Sequence, residues 1–315
     1  MSLSRAEVSP PAFGWVDLAL IGVTTAWGGN MIVIKSALGE MNPMAFNVCR
    51  FGIAIGLMWL MLAATETDFS LGPREFRWLL LTGLMGNTVY QLFFINGINL
   101  STAGNTAFMV ATAPVWVAVI AGLARLEYLY PRGWVGVATS LVGVTLIIFG
   151  SGQVVALTEV TVRGDLLTLA GAMCWASYTL MTKPVLVRHS PLKVTTYAMS
   201  LGYVPFVLLS TPSLFTQDWA SVSASSWLSV AYSAGFALTL GYVGWSWGVR
   251  MIGGTRTAVY NNLTPVVAGI LGFWFLDEIW TPLRFLGAAT ILLGLYLVRS
   301  TPRKYRIPRI PRGTT

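Results

Sequence analysis

Runs of about 20 apolar residues with hardly a charge recur from one end of this chain to the other, the length of an α-helix crossing a bilayer. A helix satisfies its own backbone hydrogen bonds, as hydrocarbon requires. Ten such runs fall at residues 15–37, 43–64, 77–97, 103–122, 130–149, 165–187, 193–212, 226–248, 257–276 and 282–299. Composition agrees: of 315 residues, 55% are hydrophobic and only 10% charged, against about 25% charged in soluble domains. The chain reads as an all-α polytopic membrane protein with ten transmembrane helices. Its opening, MSLSRAEVSPPAFGWVDLAL, holds Arg5 but no small-residue cleavage site, so the first helix is expected to stay.

Alternating the loops across the membrane divides the basic residues unevenly. Sixteen Lys and Arg fall on the side of the N-terminus, three (Lys35, Arg163 and Arg284) on the other, and Arg50 lies within the second run. This bias predicts a multi-pass protein with both termini cytoplasmic: residues 1–14 form a short N-terminal segment and residues 300–315 a basic, proline-rich tail that touches anionic lipid. The net charge of +8 is thus a matter of topology, and no nucleic-acid partner is expected. Cys49 and Cys174 both lie inside predicted helices, which supports neither a disulfide framework nor a thiolate site; no metal and no cofactor is expected.

The chain also repeats itself. "DLALIGVTTAWGGNMIVIK" from Asp17 aligns without gaps on "DLLTLAGAMCWASYTLMTK" from Asp165, an offset of 148 that superposes Trp27 on Trp175, Lys35 on Lys183 and Pro43 on Pro191. Further on, an offset of 151 pairs Gly97 with Gly248, Thr106 with Thr257, Pro114 with Pro265, Glu127 with Glu278, Gly136 with Gly287 and Gly143 with Gly294. Residues 15–150 and 165–299 become two five-helix repeats joined by a linker at 151–164. An odd number of helices per repeat makes the second copy enter the membrane in the opposite sense. Inverted repeats around a central cavity are the sequence mark of many secondary transporters, in which equivalent packings open one site to each side in turn.

In "AWGGNMIVIK" and "CWASYTLMTK", in "TAFMVATAPVW" and "TAVYNNLTPVV", and in the glutamates that follow, the chain resembles the drug/metabolite transporter superfamily, specifically its ten-helix EamA-type exporters, over about residues 15–299. The resemblance implies a bacterial inner-membrane exporter, similar to those of aromatic amino acids. It leaves the cargo open, because such exporters carry amino acids, metabolites and drugs.

Polar and aromatic side chains that share a helix face inside a membrane point to a cavity or to a neighbouring helix. On the third helix Asn87, Gln91 and Phe94 follow i, i+4, i+7 spacing with Tyr90 beside them, and the repeat places Leu238, Tyr242 and Trp245 on the eighth. Trp27 and Asn30 on the first helix keep the spacing of Trp175 and Tyr178 on the sixth, and Tyr260 and Asn261 on the ninth precede Pro265. Leu238 aside, these twelve residues are the expected substrate-binding cavity. Amides, phenols and indoles with hardly a charge suit a small solute with an apolar body and a few hydrogen-bonding groups.

A proline inside a helix costs about 3 kcal/mol, so "ATAPVWVAVI" at 111–120 either breaks or bends on purpose. Pro114 and its twin Pro265 are expected to act as paired hinges, and Pro265 to leave the Asn261 carbonyl unpaired. Arg50 could be an anion partner, but it comes only seven residues after Pro43 and reads in preference as structural or snorkelling. Lys35 and Lys183 complement helix ends, Glu127 and Glu278 order loops, and the spaced glycines of the fifth and tenth helices are scaffold or a dimer surface, in a monomer or weak homodimer.

No Asp or Glu lies deep in a predicted helix and the single His189 is in a loop, so obligatory proton coupling is unsupported. The same inventory lacks the acid pair, Ser/His dyad or metal cluster of an intramembrane enzyme, and the several cavity cations a polyanion carrier needs. The expected function is export of small neutral or zwitterionic metabolites, amino acids foremost, by alternating access as a facilitator. The alternatives are a proton-driven drug or metabolite exporter and a channel-like pore.

Overall fold

The computed structural model describes residues 7–8, 13–101, 103–152, 158–275 and 280–305, and among these it is helical almost throughout. In the first half, α1 is Trp15–Ala37 and α2 is Pro43–Thr65; α3 spans 73–100 with a π-helical stretch at Leu84–Val89. Next, α4 spans 103–123, interrupted at Thr112, and α5 is Pro131–Gly150. In the second half, α6 is Glu159–Leu186, α7 is Pro191–Thr216 and α8 spans 224–252 with a π-helical stretch at Ser233–Leu240. Last come α9, spanning 254–275 with a 3-10 turn at Asn261–Leu263, and α10, Pro282–Arg299. Among the described residues, seven helices have the length and apolarity of a membrane crossing: α1 to α5, α7 and α10.

Local sequence explains the starts. Asn42, Ser190 and Thr281 each cap a helix whose first residue is proline, and each accepts a backbone N–H from within the first turn. Thr158 caps α6 and Arg163 pairs with Glu159 one turn on at 2.5 Å, so this helix begins six residues before the apolar run that marks it in the sequence. The expected linker at 151–164 shrinks accordingly, and Asp165 moves from a helix edge to its second turn.

The halves are locked by small residues. Gly136 of α5 lies against the Gly294 carbonyl of α10, and Gly143 against that of Gly287; a Cβ added to either would stand 2.8 or 2.7 Å from that backbone oxygen. Pairing 136 with 294 and 143 with 287 means that these repeat-related helices run antiparallel. Elsewhere the first helix of each half packs on the third helix of the other. In α1 and α8, Leu20 meets Gly248 and Val23 meets Gly244; in α6 and α3, the counterparts Thr168 and Gly171 meet Gly97 and Phe93.

Ion pairs and hydrogen bonds fasten the ends. Arg299 at the end of α10 grips Asp17 with Nε on Oδ1 at 2.7 Å and Nη2 on Oδ2 at 3.0 Å, while the Tyr260 hydroxyl donates to Oδ1. Asp165, the repeat counterpart of Asp17, accepts from the Ser101 hydroxyl and from Asn105 Nδ2 at 2.7 Å. Glu127 orders its loop as expected: it takes Lys183 Nζ at 2.7 Å and the N–H groups of Gly254 and Thr255, at the start of α9, at 2.9 and 3.1 Å. Its counterpart Glu278 and the tail beyond 305 lie outside the described residues, as does the side chain of Lys35. A small antiparallel sheet of β1 (Glu7–Val8), β2 (Glu127–Tyr128) and β3 (Arg303–Tyr305), in the order β1-β3-β2, brings both ends of the chain to the loop that carries Glu127.

Gly143→Ala and Gly287→Ala should each lower stability by about 1–3 kcal/mol through overpacking, while Gly56→Ala, with nothing within 4 Å of the new carbon, should not. Thermal unfolding in detergent compares them. Glu127→Ala should cost about 3–5 kcal/mol by stranding a buried cation, and adding Lys183→Met should recover part of the loss in the same measurement.

Candidate binding cavity

Midway along the bundle a cavity of about 90 Å³ opens between the two halves, several times what one water molecule needs. Trp27, Asn30 and Ile34 of α1 line it with Arg50 of α2 and Tyr90, Gln91 and Phe94 of α3. Val110 and Ala113 of α4 and Ala172 and Trp175 of α6 add to the wall, as do Ala237, Leu238 and Tyr242 of α8 and Asn261 and Thr264 of α9. Eight of the sequence-derived residues are among them: Trp27, Asn30, Tyr90, Gln91, Phe94, Trp175, Tyr242 and Asn261.

One side of the cavity is a cluster of rings. Trp27 and Trp175, repeat counterparts, meet edge to face with centroids 5.6 Å apart; Trp175 meets Tyr242 in the same way at 5.1 Å and tilts against Tyr90 at 5.3 Å. Such geometry sets a positive ring edge on a negative ring face. Trp27 is fixed further by its Nε1–H, which donates to the Ala237 carbonyl at 2.9 Å, within the π-helical stretch of α8. Those stretches occupy equivalent places in α3 and α8, and turns of this kind collect at functional sites.

The other side is polar. Gln91 Nε2 donates to the Tyr242 hydroxyl at 3.4 Å, and these two residues, 151 apart, are again repeat counterparts in direct contact. Arg50 donates through Nε to Asn47 Oδ1 at 2.7 Å and through Nη2 to Gln91 Oε1 at 3.5 Å. Asn30 Oδ1 accepts from the Ser233 hydroxyl at 2.5 Å. Among the described residues no carboxylate lines the cavity.

Four expected residues are not brought to the wall, each because a neighbour claims it. Asn87 donates to the Ala198 carbonyl of α7 at 3.3 Å; the π-helical stretch winds an extra residue into its turn, so a 3.6-residue period no longer keeps it on the face of Gln91. Tyr178 stacks on Trp175 at 5.2 Å, behind the cavity, and packs on Gly86. Trp245 donates to Thr179 Oγ1 at 3.1 Å. Tyr260 turns away to reach Asp17.

Arg50 does not snorkel: it is 3% exposed, lines the cavity and has the Phe46 and Phe51 rings 5.4 and 5.6 Å from Cζ. Three lining residues not expected from the sequence, Val110, Ala113 and Thr264, are within reach of the repeat. The offset of 151 carries Asn261 to Val110, and one step of three along each helix gives Thr264 and Ala113.

Both prolines adjoin these last residues. Thr112 interrupts α4 two positions before Pro114, and the 3-10 turn of α9 ends just before Thr264 and Pro265. The Asn261 carbonyl is not left unpaired, because the tighter turn lets it accept the Thr264 N–H instead.

The EamA-like transporter family model matches the chain twice, over residues 14–149 and 162–300. YyaM of Bacillus subtilis (strain 168), an uncharacterized transporter, is 27% identical over 289 residues, which cover 89% of this chain and 92% of the relative. A protein of Escherichia coli (strain K12) named a probable amino-acid metabolite efflux pump is 28% identical over 291 residues, covering 89% and 93%. A solved crystal structure has the same fold at 15% identity, with a TM-score of 0.76 over 90% of this chain and 96% of the other. This is a multi-pass membrane protein whose two matched segments share one model, and the chain belongs to the EamA-like transporter family.

Proposed function

We propose that this protein exports small neutral or zwitterionic metabolites, amino acids foremost, by alternating access and as a facilitator. The observation that carries the proposal is the cavity itself: indoles, phenols and amides from both halves converge where repeat counterparts touch, at Trp27 with Trp175 and Gln91 with Tyr242. An amino acid offers such a wall an apolar side chain and a compact polar end. The printed name of the Escherichia coli relative points the same way.

In this reading α1 to α10 all cross the membrane, as two inverted five-helix repeats at 15–150 and 165–299, and the antiparallel seam of α5 with α10 supports the inversion. The sheet that joins β1 to β3 supports termini on one side, and the excess of Lys and Arg puts that side in the cytoplasm of a bacterial inner membrane. Pro114 and Pro265, each beside a cavity residue and a helix break, serve as the two hinges.

A cavity of about 90 Å³ is smaller than the ~300–1,000 Å³ of ligand pockets. This conformation is therefore a constricted one, and the hinges open it.

One observation favours a second reading, proton-driven export. Asp165 is buried in the second turn of α6, and its partners Ser101 and Asn105 are neutral.

Purified protein in liposomes, assayed with a panel of labelled amino acids with and without a pH gradient, separates these readings. Saturable, trans-stimulated flux independent of the gradient is expected. Absence of saturable flux for every amino acid overturns the substrate class, lack of trans-stimulation points to a channel, and strict dependence on the gradient points to Asp165. Gln91→Ala and Tyr242→Ala should each cut flux about tenfold or more, the scale of 1.4 kcal/mol, with the melting temperature little changed. Pro114→Ala and Pro265→Ala should slow turnover more than they lower stability; wild-type turnover in both would leave the prolines as packing features.

A further inference from the structure

We propose that Arg50 is a carboxylate anchor, so that the transported solute must carry a free carboxylate and enters the cavity in one orientation. The inference deepens the function proposed above and rests on its reading of the same cavity.

Arg50 is a buried cation with no carboxylate partner among the described residues. Three other buried cations are paired: Lys183 with Glu127 at 2.7 Å, Arg299 with Asp17 at 2.7 Å and Lys193 with Asp68 at 3.7 Å. Arg50 has only two amide oxygens, one at 2.7 Å and one at 3.5 Å, the far limit of a hydrogen bond. A guanidinium presents five N–H donors, so its fork retains capacity for an acceptor arriving in the cavity it lines.

An unpaired charge in a membrane protein's interior is costly and marks function. The Phe46 and Phe51 rings and the Asn47 amide hold the group in place without neutralising it. A carboxylate supplies what is missing, two coplanar acceptors that match the guanidinium fork.

The repeat sharpens the case. The offset of 148 that superposes Pro43 on Pro191 puts Ala198 opposite Arg50, so the cation has no counterpart in the second half. The scaffold is two-fold but its charge is one-sided. The indoles of Trp27 and Trp175 line the same cavity, and ring faces attract an ammonium group. A zwitterion thereby has a defined direction, carboxylate to Arg50 and ammonium to the rings.

The test uses full-length protein in detergent, titrated by calorimetry with L-phenylalanine, 3-phenylpropionate and 2-phenylethylamine. The wild type should bind both carboxylates and bind the amine at least about tenfold more weakly. Arg50→Gln should lose about tenfold or more for the carboxylates and little for the amine, and Arg50→Lys, a cation without a fork, should recover only part. An amine that binds the wild type as well as the acids do, no binding of any of the three, or wild-type carboxylate binding by Arg50→Gln would each overturn the anchor. Should Arg50→Gln fail to fold, the wild-type series and Arg50→Lys decide.

Flux in liposomes keeps the two proposals apart. Amino-acid flux equally fast in wild type and Arg50→Gln removes the anchor and leaves the exporter; carboxylate binding that needs Arg50, without any amino-acid flux, does the reverse.

Discussion

The structure depends on backbone meeting backbone between the halves. In hydrocarbon, helices gain nothing from hiding apolar side chains from lipid, so association rests on close van der Waals contact and on polar groups that find partners. Gly136, Gly143, Gly287 and Gly294 supply the first along α5 and α10, and Gly97 and Gly248 supply it where α3 and α8 receive the first helix of the opposite half. The cavity side chains of α1, α3, α6 and α8 are positioned by these crossings. Trp27 reaches Ala237 because α1 lies so near α8, and Trp175 reaches Tyr90 because α6 lies on α3.

Polar side chains are spent in two distinct ways on this frame. Asp17, Glu127 and Asp165 sit toward helix ends, where each ties separate elements together: Asp17 takes Arg299 and Tyr260, Glu127 takes Lys183 and the start of α9, and Asp165 takes Ser101 and Asn105. Gln91, Tyr242 and Arg50 instead meet one another through bonds of 3.4 and 3.5 Å. The end groups join helices far apart in sequence, while the central ones link Arg50, Gln91 and Tyr242 in a chain along the cavity wall.

Much of this was legible in the sequence, because the repeat converts one dimension into three. Trp27 with Trp175 and Gln91 with Tyr242 are paired by arithmetic on the chain and are in contact in the structure. What arithmetic on a 3.6-residue period misses is any local change of period: Asn87 was assigned to the wall across a π-helical stretch that the sequence does not announce. Tyr260 was lost for a different reason, since its partner Asp17 is 243 residues away. The burial of Arg50 is not legible because a lone arginine near a helix start usually reaches water; that its guanidinium meets Asn47 and Gln91 depends on how α2 and α3 cross.

Where counterparts touch, the duplication has a chemical consequence. A site on the axis between two identical halves offers the same groups at both ends, and so suits a solute whose own ends are alike. Here Trp27 and Trp175 keep one identity, but other counterparts differ: glutamine faces tyrosine at Gln91 and Tyr242, arginine is answered by alanine at Arg50 and Ala198, and valine by asparagine at Val110 and Asn261. The glycines of the outer seam kept their identity, because backbone contact allows no other residue. Under the function proposed above, divergence at the centre of a repeated frame turns a symmetric vessel into a handed one, and a handed vessel can tell the head of a small molecule from its tail.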